Sequence, residues 1–537
     1  MNKANQYVQD RPWITTLLML TLITIMGAFL RLRYLSVSNF PLNDGGMFYA
    51  MIRDLQQNGF HLPPVTTYNN ASIPYAYPPL SFYAVGLLNQ YLHFDLLQLF
   101  RIYPLVYNLI SIPLVYLLVR ELSKSNQMVS LIATAFYASL VSSFEWLIIG
   151  GGLTRSPAHT YFIAAMTLYL VFLRTGRKKY FAFSAVCAAL MTCHHLEYTW
   201  FLCFSLAIFT YDRKLFLKRY LAYGLYWVSI AVLSAPYWLT VVLAHGFGPF
   251  INAFSANGIQ LNNTLNQFLI FIFTEENKST FINSLAILGI FYSLITRRDR
   301  RILVWLFITM VLGSRSFYRT VQFPAVILAA IGLEGIRAAF REIATRSAET
   351  AAGLKNLKPE KTADLLMALF LVFALLHPFL IRFYQSFSPD PVLSSITKPE
   401  LQAMDWVKQN TDPANKFLII DPASDWFVNQ VGEWFPALTE RSTVDTVQGS
   451  EWLPDKAYYR QYDRYLQLQK CFTTGMGCLQ EWMKQSDTRM DYLFITHQDC
   501  SKSARDCLVL FNQTISADPT FQLVYANDQV NIYKKLK

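Results

Sequence analysis

Charge is what this chain has least of. Only 15% of its 537 residues are Asp, Glu, Lys or Arg, against roughly a quarter in ordinary soluble domains. With 53% hydrophobic residues and a mean hydropathy of +0.26, that shortage excludes a soluble enzyme of this length. It also excludes a disordered scaffold, which needs high charge and little hydrophobicity. Glycine, at 22 residues, is too sparse for a collagen-like fibre. Cysteine numbers seven, and no pair has the two-to-four-residue gap of a zinc ribbon. The glycine run at 150–152 is not followed by Gly-Lys-Ser/Thr, which removes a Walker-type phosphate loop.

What the chain does have is a succession of apolar runs, several near the ~20 residues needed to cross a bilayer. It reads as a polytopic α-helical membrane protein. The net charge of +11 sits in short clusters between those runs: Arg174, Arg177, Lys178 and Lys179; Arg213, Lys214, Lys218 and Arg219; Arg297, Arg298, Arg300 and Arg301. Short basic loops mark cytoplasmic connections. No cluster forms a basic groove interleaved with aromatics, so nucleic acid is not an expected partner.

Charge asymmetry orders the runs. Trp13–Leu30 is the first span, too long and wrongly flanked for a cleaved signal peptide. Pro79–Phe94 is short, polar at one end and opened by Pro78-Pro79, so it reads as an interfacial helix. The runs at Leu99–Val119, Met128–Leu147, Ala158–Leu173, Tyr180–Cys193, Leu196–Thr210, Leu221–Leu243, Phe281–Ile295, Ile302–Gly313, Val321–Ile336 and Ala363–Phe383 then alternate across the bilayer. That gives about eleven spans, with the N-terminus cytoplasmic, the tail extracytoplasmic and every strongly basic short loop inside. The expected organisation is a membrane domain over 1–385 with a first outer loop at 33–98, a cytoplasmic helical connector at 337–361, and an extracytoplasmic domain at 390–537.

The tail is polar enough to be a single soluble domain of roughly 145 residues. Helix-like stretches (Pro399–Gln409, Lys456–Gln469) alternate with short strand-like runs (Phe417–Ile420, Tyr492–Ile495, Gln522–Tyr525, Val530–Tyr533), and Ala526-Asn527-Asp528-Gln529 is a hairpin signal. A small α/β domain is the expectation. Cys187, Cys193 and Cys203 lie in or near spans and read as packing residues. Cys471, Cys478, Cys500 and Cys507 all lie in the tail, as two pairs spaced seven apart. Disulfides persist outside the cytosol, so an external tail accounts for them. Near-neighbour pairing is one of three connectivities.

The first outer loop carries the strongest chemical signal. It runs from Arg31-Leu32-Arg33 through Asn43-Asp44-Gly45-Gly46 and Tyr49 to a helix-like stretch with Arg53, then closes on Tyr77-Pro78-Pro79. Asp44 is flanked by glycines that let backbone approach a ligand. A carboxylate there suits deprotonation or orientation of an acceptor; the alternative is a cap on the following helix. In the second outer loop, Glu145-Trp146 precedes Gly150-Gly151-Gly152-Leu153-Thr154-Arg155. Consecutive glycines before a helix can offer N–H groups to an anion, and Arg155 adds a fixed charge. Glu145 reads as a metal ligand, a second acid or an interfacial carboxylate. His194, His195 and Glu197 fall at an outer turn, where they line a cavity or, less in keeping with helical ligand spacing, bind a metal. Arg315 and Arg319 sit on the outer side against the charge rule, four apart and so on one helical face. They suit a phosphate clamp, or they snorkel to headgroups.

These residues resemble the integral-membrane glycosyltransferases of the GT-C fold, in particular the branch of bacterial protein O-mannosyltransferases and lipid A aminoarabinose transferases. The resemblance rests on the first span with its Arg-containing exit, on Asp44 with Tyr49 about a turn later, on Tyr77-Pro78-Pro79, on the alternating spans and on the outer tail. It implies a transferase of the plasma (inner) membrane that takes a sugar from a polyprenyl-phosphate donor to a lipid, glycan or protein acceptor. It implies Asp44 as base, with Arg155, Arg315, Arg319, Tyr49, Arg53, Tyr77, His194 and His195 around the lipid phosphate and Glu145 or Glu197 as a second acid. The family often has Asp-Glu where this chain has Asp44-Gly45, so a divalent metal held by Asp44 and Glu145 lacks one expected ligand. A glycolipid or polysaccharide transporter is the rival class, with internal repeats as its usual mark; none is evident here.

Overall fold

The computed structural model describes residues 12–256, 280–312, 317–350, 359–387, 391–496 other than 422, 424 and 473, and 514–536. Arg315, Cys500, Cys507 and the polar part of the loop after His245 lie outside them. The membrane part consists of α1 (Pro12–Leu35), α2 (Gly46–Gln57), α3 (Leu80–Leu92), α4 (Leu96–Leu122), α5 (Gln127–Ser139), α6 (Gly152–Thr175), α7 (Lys178–His194) and α8 (Glu197–Thr210). These are followed by α9 (Phe216–Leu233), α10 (Ala235–His245), α11 (Gly248–Ala256), α12 (Thr280–Thr296), α13 (Arg300–Leu312), α14 (Phe317–Thr350) and α15 (Pro359–Gln385).

Each apolar run expected to span contains helix, but the lengths differ and two of the runs are broken. Among the described residues five helices (α1, α4, α6, α14 and α15) are individually long and apolar enough to cross, and six spans result if α9 and α10, bent by 65° at Ser234, count as one. The run at Met128–Leu147 is not one helix. α5 stops at Ser139, and a 3₁₀ turn at Val141–Ser143 leads into irregular chain that ends at the glycine run. The connector begins as a continuation of α14, which runs on to Thr350.

One buried cation fixes the C-terminal end of the first span. Arg31 is fully buried, and its guanidinium donates to Asn108 Oδ1 of α4, to the carbonyls of Gly27 and Ala138 (2.9 and 2.8 Å), and to Ser143 Oγ at 2.8 Å. Its plane lies 4.8 Å from the Phe144 ring. A charge in a low-dielectric interior is tolerable only when its donors are satisfied, so Arg31 ties α1, α4 and the end of α5 into one arrangement. From there Arg101 of α4 holds the start of the loop after α1 through the carbonyls of Leu35 and Ser38 at 2.9 and 2.7 Å.

The tail contributes α16 (Lys398–Asn410), β1 (Lys416–Ile420), α17 (Gln430–Thr439), β2 (Ser442–Thr443), α18 (Ala457–Cys471), α19 (Met476–Gln485), β3 (Tyr492–Thr496), β4 (Phe521–Ala526) and β5 (Val530–Lys535). Its sheet has the order β2-β1-β3-β5-β4. β1 pairs in parallel with β2 and β3, and β5 is antiparallel to β3 and β4. The four strand-like runs and the 526–529 turn are thus strands and a hairpin, while α17, α19 and β2 are elements the sequence reading did not mark. α16 starts at a capping box in which Thr397 and Glu400 satisfy each other's backbone N–H groups. Cys471 and Cys478 form a disulfide; Cys187, Cys193 and Cys203 are free thiols.

The tail does not sit apart from the loops. A single hydrophobic core joins Phe40, Met47, Phe48, Met51 and Phe100 to Val431, Trp434, Phe435, Phe494 and Ile532. α17 lies against α2, and Trp434 Nε1 donates to the Asn43 carbonyl at 2.8 Å. Two stretches of backbone meet beneath it. Gly150 N donates to the Leu42 carbonyl at 2.8 Å, and a Cβ on Gly150 would stand 1.7 Å from the Asp44 carbonyl oxygen. Gly150→Ala must therefore push the 41–45 loop away, and overpacking of this kind costs about 1–3 kcal/mol or more. A fall of several degrees in the thermal unfolding midpoint of the detergent-solubilised chain is expected, whereas Gly224→Ala, with open space around its Cβ position, should leave the midpoint unchanged or slightly raised.

Candidate functional site

The site is built where those two loops touch. Gly45 precedes α2 with φ +123°, in a region L side chains rarely adopt, and a Cβ there would lie 3.1 Å from both Gly150 and Trp434. That conformation turns the chain so that Asp44 points away from α2. No side-chain bond caps α2, so the capping role considered for Asp44 does not apply to the helix that follows it. Its carboxylate instead spans to the start of α6: Oδ1 accepts from Gly151 N at 2.6 Å and Oδ2 from Arg155 Nη2 at 2.9 Å. The glycine run does present an N–H group to an anion, and the anion is the protein's own Asp44. A Cβ on Gly151 would stand 2.4 Å from Asp44 Oδ2, which is why the position has no side chain.

Arg155 is the other half of the pair. Side-chain exposures of 17% for Arg155 and 13% for Asp44 make this a largely desolvated ion pair, open on one side. Trp146 lies 5.7 Å from the guanidinium carbon, a cation–π contact. The second terminal nitrogen, Arg155 Nη1, is buried and makes no hydrogen bond among the described residues. A buried guanidinium N–H without a partner costs free energy, so this nitrogen is poised for an acceptor atom.

A second acid enters from the tail. Glu433, in the first turn of α17, is buried, and its Oε1 accepts from Gly45 N at 2.9 Å. Its backbone carbonyl accepts from the Tyr68 hydroxyl at 2.7 Å. Burial, and after it the negative charge of Asp44, push the Glu433 carboxyl well above the usual carboxylate range. Sequence reasoning placed this residue in an aromatic stretch of the tail and missed its role. The available signal was a lone acid inside the apolar run Val431–Leu438.

Tyr77, His195, Glu197 and Arg319 gather nearby. The Tyr77 hydroxyl lies 3.3 Å from Thr154 Oγ1, its ring packs edge-on to His195 at 5.9 Å, and it lies within electrostatic reach of both Arg155 and Arg319. Burial pushes its phenol up to about 12 against the pull of those two cations. Arg319 Nη2 pairs with Glu197 Oε2 at 3.0 Å. His194 is buried and its Nδ1 lies 2.7 Å from Ser81 Oγ, which anchors α3 to the end of α7. Tyr49 packs against Trp434 and Phe100 at 6.0 and 6.3 Å.

Other expected residues stand elsewhere. Arg53 pairs with Glu440 of the tail at 2.9 Å, and Lys408 meets the same carboxylate at 2.7 Å, so this cation joins the outer loop to the tail. Glu145 is half-buried and lies within electrostatic reach of Arg382. Among the described residues no group of three His, Cys, Asp or Glu side chains stands where a metal ion could be held. The donor set fits a metal poorly on its own terms, since Asp44 is occupied by a guanidinium and its nearest acidic neighbour, Glu433, is held toward the protonated state.

No family model matches this sequence, and no curated protein matches it. Solved structures do match in fold. The archaeal oligosaccharyltransferase AglB from Archaeoglobus fulgidus, in complex with an inhibitory peptide and a dolichol-phosphate, is similar with a TM-score of 0.60 at 14% identity, over 91% of this chain and 70% of that one. The arabinofuranosyltransferase AftD from mycobacteria gives 0.53 at 15% identity, over 96% of this chain but only 40% of the longer protein. ArnT from Cupriavidus metallidurans, bound to undecaprenyl phosphate, gives 0.50 at 12% identity, over 96% of this chain and 97% of that one. All three are similar in architecture at low identity, and the chain has the GT-C fold of integral-membrane glycosyltransferases.

Proposed function

We propose that this chain is a membrane glycosyltransferase that moves a sugar from a polyprenyl-phosphate donor to an acceptor on the extracytoplasmic face. The observation that carries the reading is the Asp44–Arg155 pair, with one guanidinium nitrogen already bonded to the carboxylate and the other buried without a partner. AglB and ArnT, which share the fold, were solved with dolichol-phosphate and undecaprenyl phosphate. The Cys471–Cys478 disulfide supports a tail outside the cytosol, and with it the orientation in which the N-terminus is cytoplasmic.

In this mechanism the donor phosphate docks against Arg155, and Arg319, which shares Tyr77 as an electrostatic neighbour, adds positive charge. The guanidinium shifts from Asp44 to the phosphate oxygens, a bidentate partner of the kind it favours. Asp44 then takes the proton of the acceptor nucleophile as that nucleophile bonds to the anomeric carbon. The bond from that carbon to the phosphate oxygen breaks, and the leaving polyprenyl phosphate keeps the electron pair and the Arg155 contact. Pre-placed charge at the leaving group stabilises the transition state without reorganisation. Glu433, protonated beside Asp44, keeps a second negative charge out of the site. No step here needs a metal.

Asp44→Asn should lower transfer from a polyprenyl-phosphate-linked sugar by about 10²–10⁴-fold while leaving the unfolding midpoint within a few degrees of the parent. Transfer at the parental rate would remove Asp44 as the base. Undecaprenyl phosphate should raise the unfolding midpoint of the parent by mass action and should do so far less for Arg155→Gln; equal shifts in the two would refute the phosphate contact.

Glu433 adds a pH dependence whose sign is fixed. Its carboxyl is pushed up to about 8 in the folded chain from an ordinary value near 4.5. Between those values the folded state binds the extra proton, so stability falls as pH rises through the window. Glu433→Gln keeps the hydrogen bond from Gly45 and cannot ionise. Its midpoint should match the parent near pH 4.5 and exceed it above pH 8; parallel curves would show that Glu433 ionises freely in the folded chain.

A further inference from the structure

Beside Glu433 lies a cleft that belongs to the tail. It is lined by Trp426, Asn429, Gly432, Glu433, Asp445, Gln448 and Tyr465 among others, and has room for a single water or hydroxyl group. Asn429 caps α17, accepting from Gly432 N at 2.7 Å, and its amide nitrogen lies 3.4 Å from the Tyr465 hydroxyl. Asp445 is buried at the end of β2, where its Oδ1 accepts from Ile419 N at 3.3 Å. Trp426 is half-buried at the rim, with Tyr458 packed against it at 6.2 Å and Tyr462 stacked beyond at 6.0 Å.

The lining narrows the chemistry of what enters. Among the described residues no Lys or Arg lines the cleft, so it does not suit a phosphate or carboxylate. Its polar groups are two amides, two carboxyls, the Thr446 hydroxyl and a phenol, a set that includes both donors and acceptors. Burial raises both acids, Asp445 to about 7, so near neutral pH they too can donate as well as accept. A hydroxyl group, which also does both, matches such a lining better than a group limited to one role. An aromatic rim is the usual complement to the apolar face of a sugar ring, because a planar ring offers contact area at little entropic cost.

We propose that this cleft is an acceptor subsite for a neutral carbohydrate, with the ring resting on Trp426 and one hydroxyl entering between Glu433 and Asp445. The inference rests on the transferase reading, and it assigns the acceptor class: a glycan, in preference to a peptide or an amine. Because the cleft and the reaction centre share Glu433, a sugar held there lies next to the Asp44–Arg155 pair. The tail then sets which acceptor is used, while the membrane helices hold the donor.

The test is saturation-transfer NMR on the purified full-length chain with the methyl glycosides of glucose, mannose and galactose as probes, and methyl glucosaminide as a cationic control. At least one neutral glycoside should show saturation transfer that Gln448→Leu and Trp426→Leu each reduce about fivefold or more. Asp44→Asn and Arg155→Gln should leave that signal intact. The proposal is overturned if no neutral glycoside shows transfer, if the tail variants bind as the parent does, or if only the amino sugar binds. Because Trp426→Leu also removes ring packing against Tyr458, Gln448→Leu, at a half-buried position, is read with its own unfolding midpoint, and a normal midpoint with undiminished signal is decisive against the subsite. Glycoside binding without detectable sugar transfer would count against the transferase reading alone, and sugar transfer without glycoside binding against the subsite alone.

Discussion

The contact between Asp44 and the start of α6 is the constraint on which the rest of the site depends. It needs two backbone segments closer together than any side chain allows, and the sequence supplies glycine at each point of approach: Gly45 with its positive φ, and Gly150 and Gly151 where a Cβ would strike Asp44 itself. With the gap closed, one carboxylate satisfies both the Gly151 N–H and half of the Arg155 guanidinium. A partly desolvated ion pair is only marginally favourable in itself. Its value lies in holding two reactive groups at one place, which the Arg31 node behind α1 and the Trp434 indole above the loop keep fixed.

The same constraint explains where the second acid comes from. In the family that the sequence resembles, a glutamate often follows the aspartate directly. Here that position is Gly45, whose φ of +123° disfavours any side chain. Glu433 reaches the site from α17 instead and accepts a hydrogen bond from the Gly45 N–H. An acid carried on a separate element can be buried without bending the loop, and burial is what moves it toward the protonated state. The cost is that the site is complete only when the tail is seated. The shared core and the Arg53–Glu440–Lys408 ion pairs provide that seating.

Much of this was legible in the sequence, for physical reasons that differ by element. Apolar runs and basic loops located the membrane helices because burial in lipid imposes one composition along a whole run. Strands such as Phe417–Ile420 and the hairpin at 526–529 were legible from local pattern and turn chemistry. Asp44, Arg155 and the glycines stood out as residues a membrane protein seldom places without need. What stayed hidden depends on distant pairing. Nothing local in Val431–Leu438 says that Glu433 meets Gly45 across 388 residues, or that Arg53 faces Glu440 rather than the site. The extent of α5 was also misjudged, because the chain from Val141 to Gly151 is apolar enough to look helical but turns to deliver the glycines.

On the proposed reading the ion pair is also a safeguard. While Arg155 holds Asp44, the carboxylate is engaged on both oxygens, one by Gly151 N–H and one by the guanidinium, and it is a poor proton acceptor in that state. Arrival of a phosphate gives Arg155 a competing anion, and the unpartnered Nη1 supplies the first contact before the Nη2 bond to Asp44 must break. Base activation is then coupled to donor binding through one side chain. Arginine suits this role and lysine does not, because only a planar fork with two terminal nitrogens can bridge an old partner and a new one during the exchange.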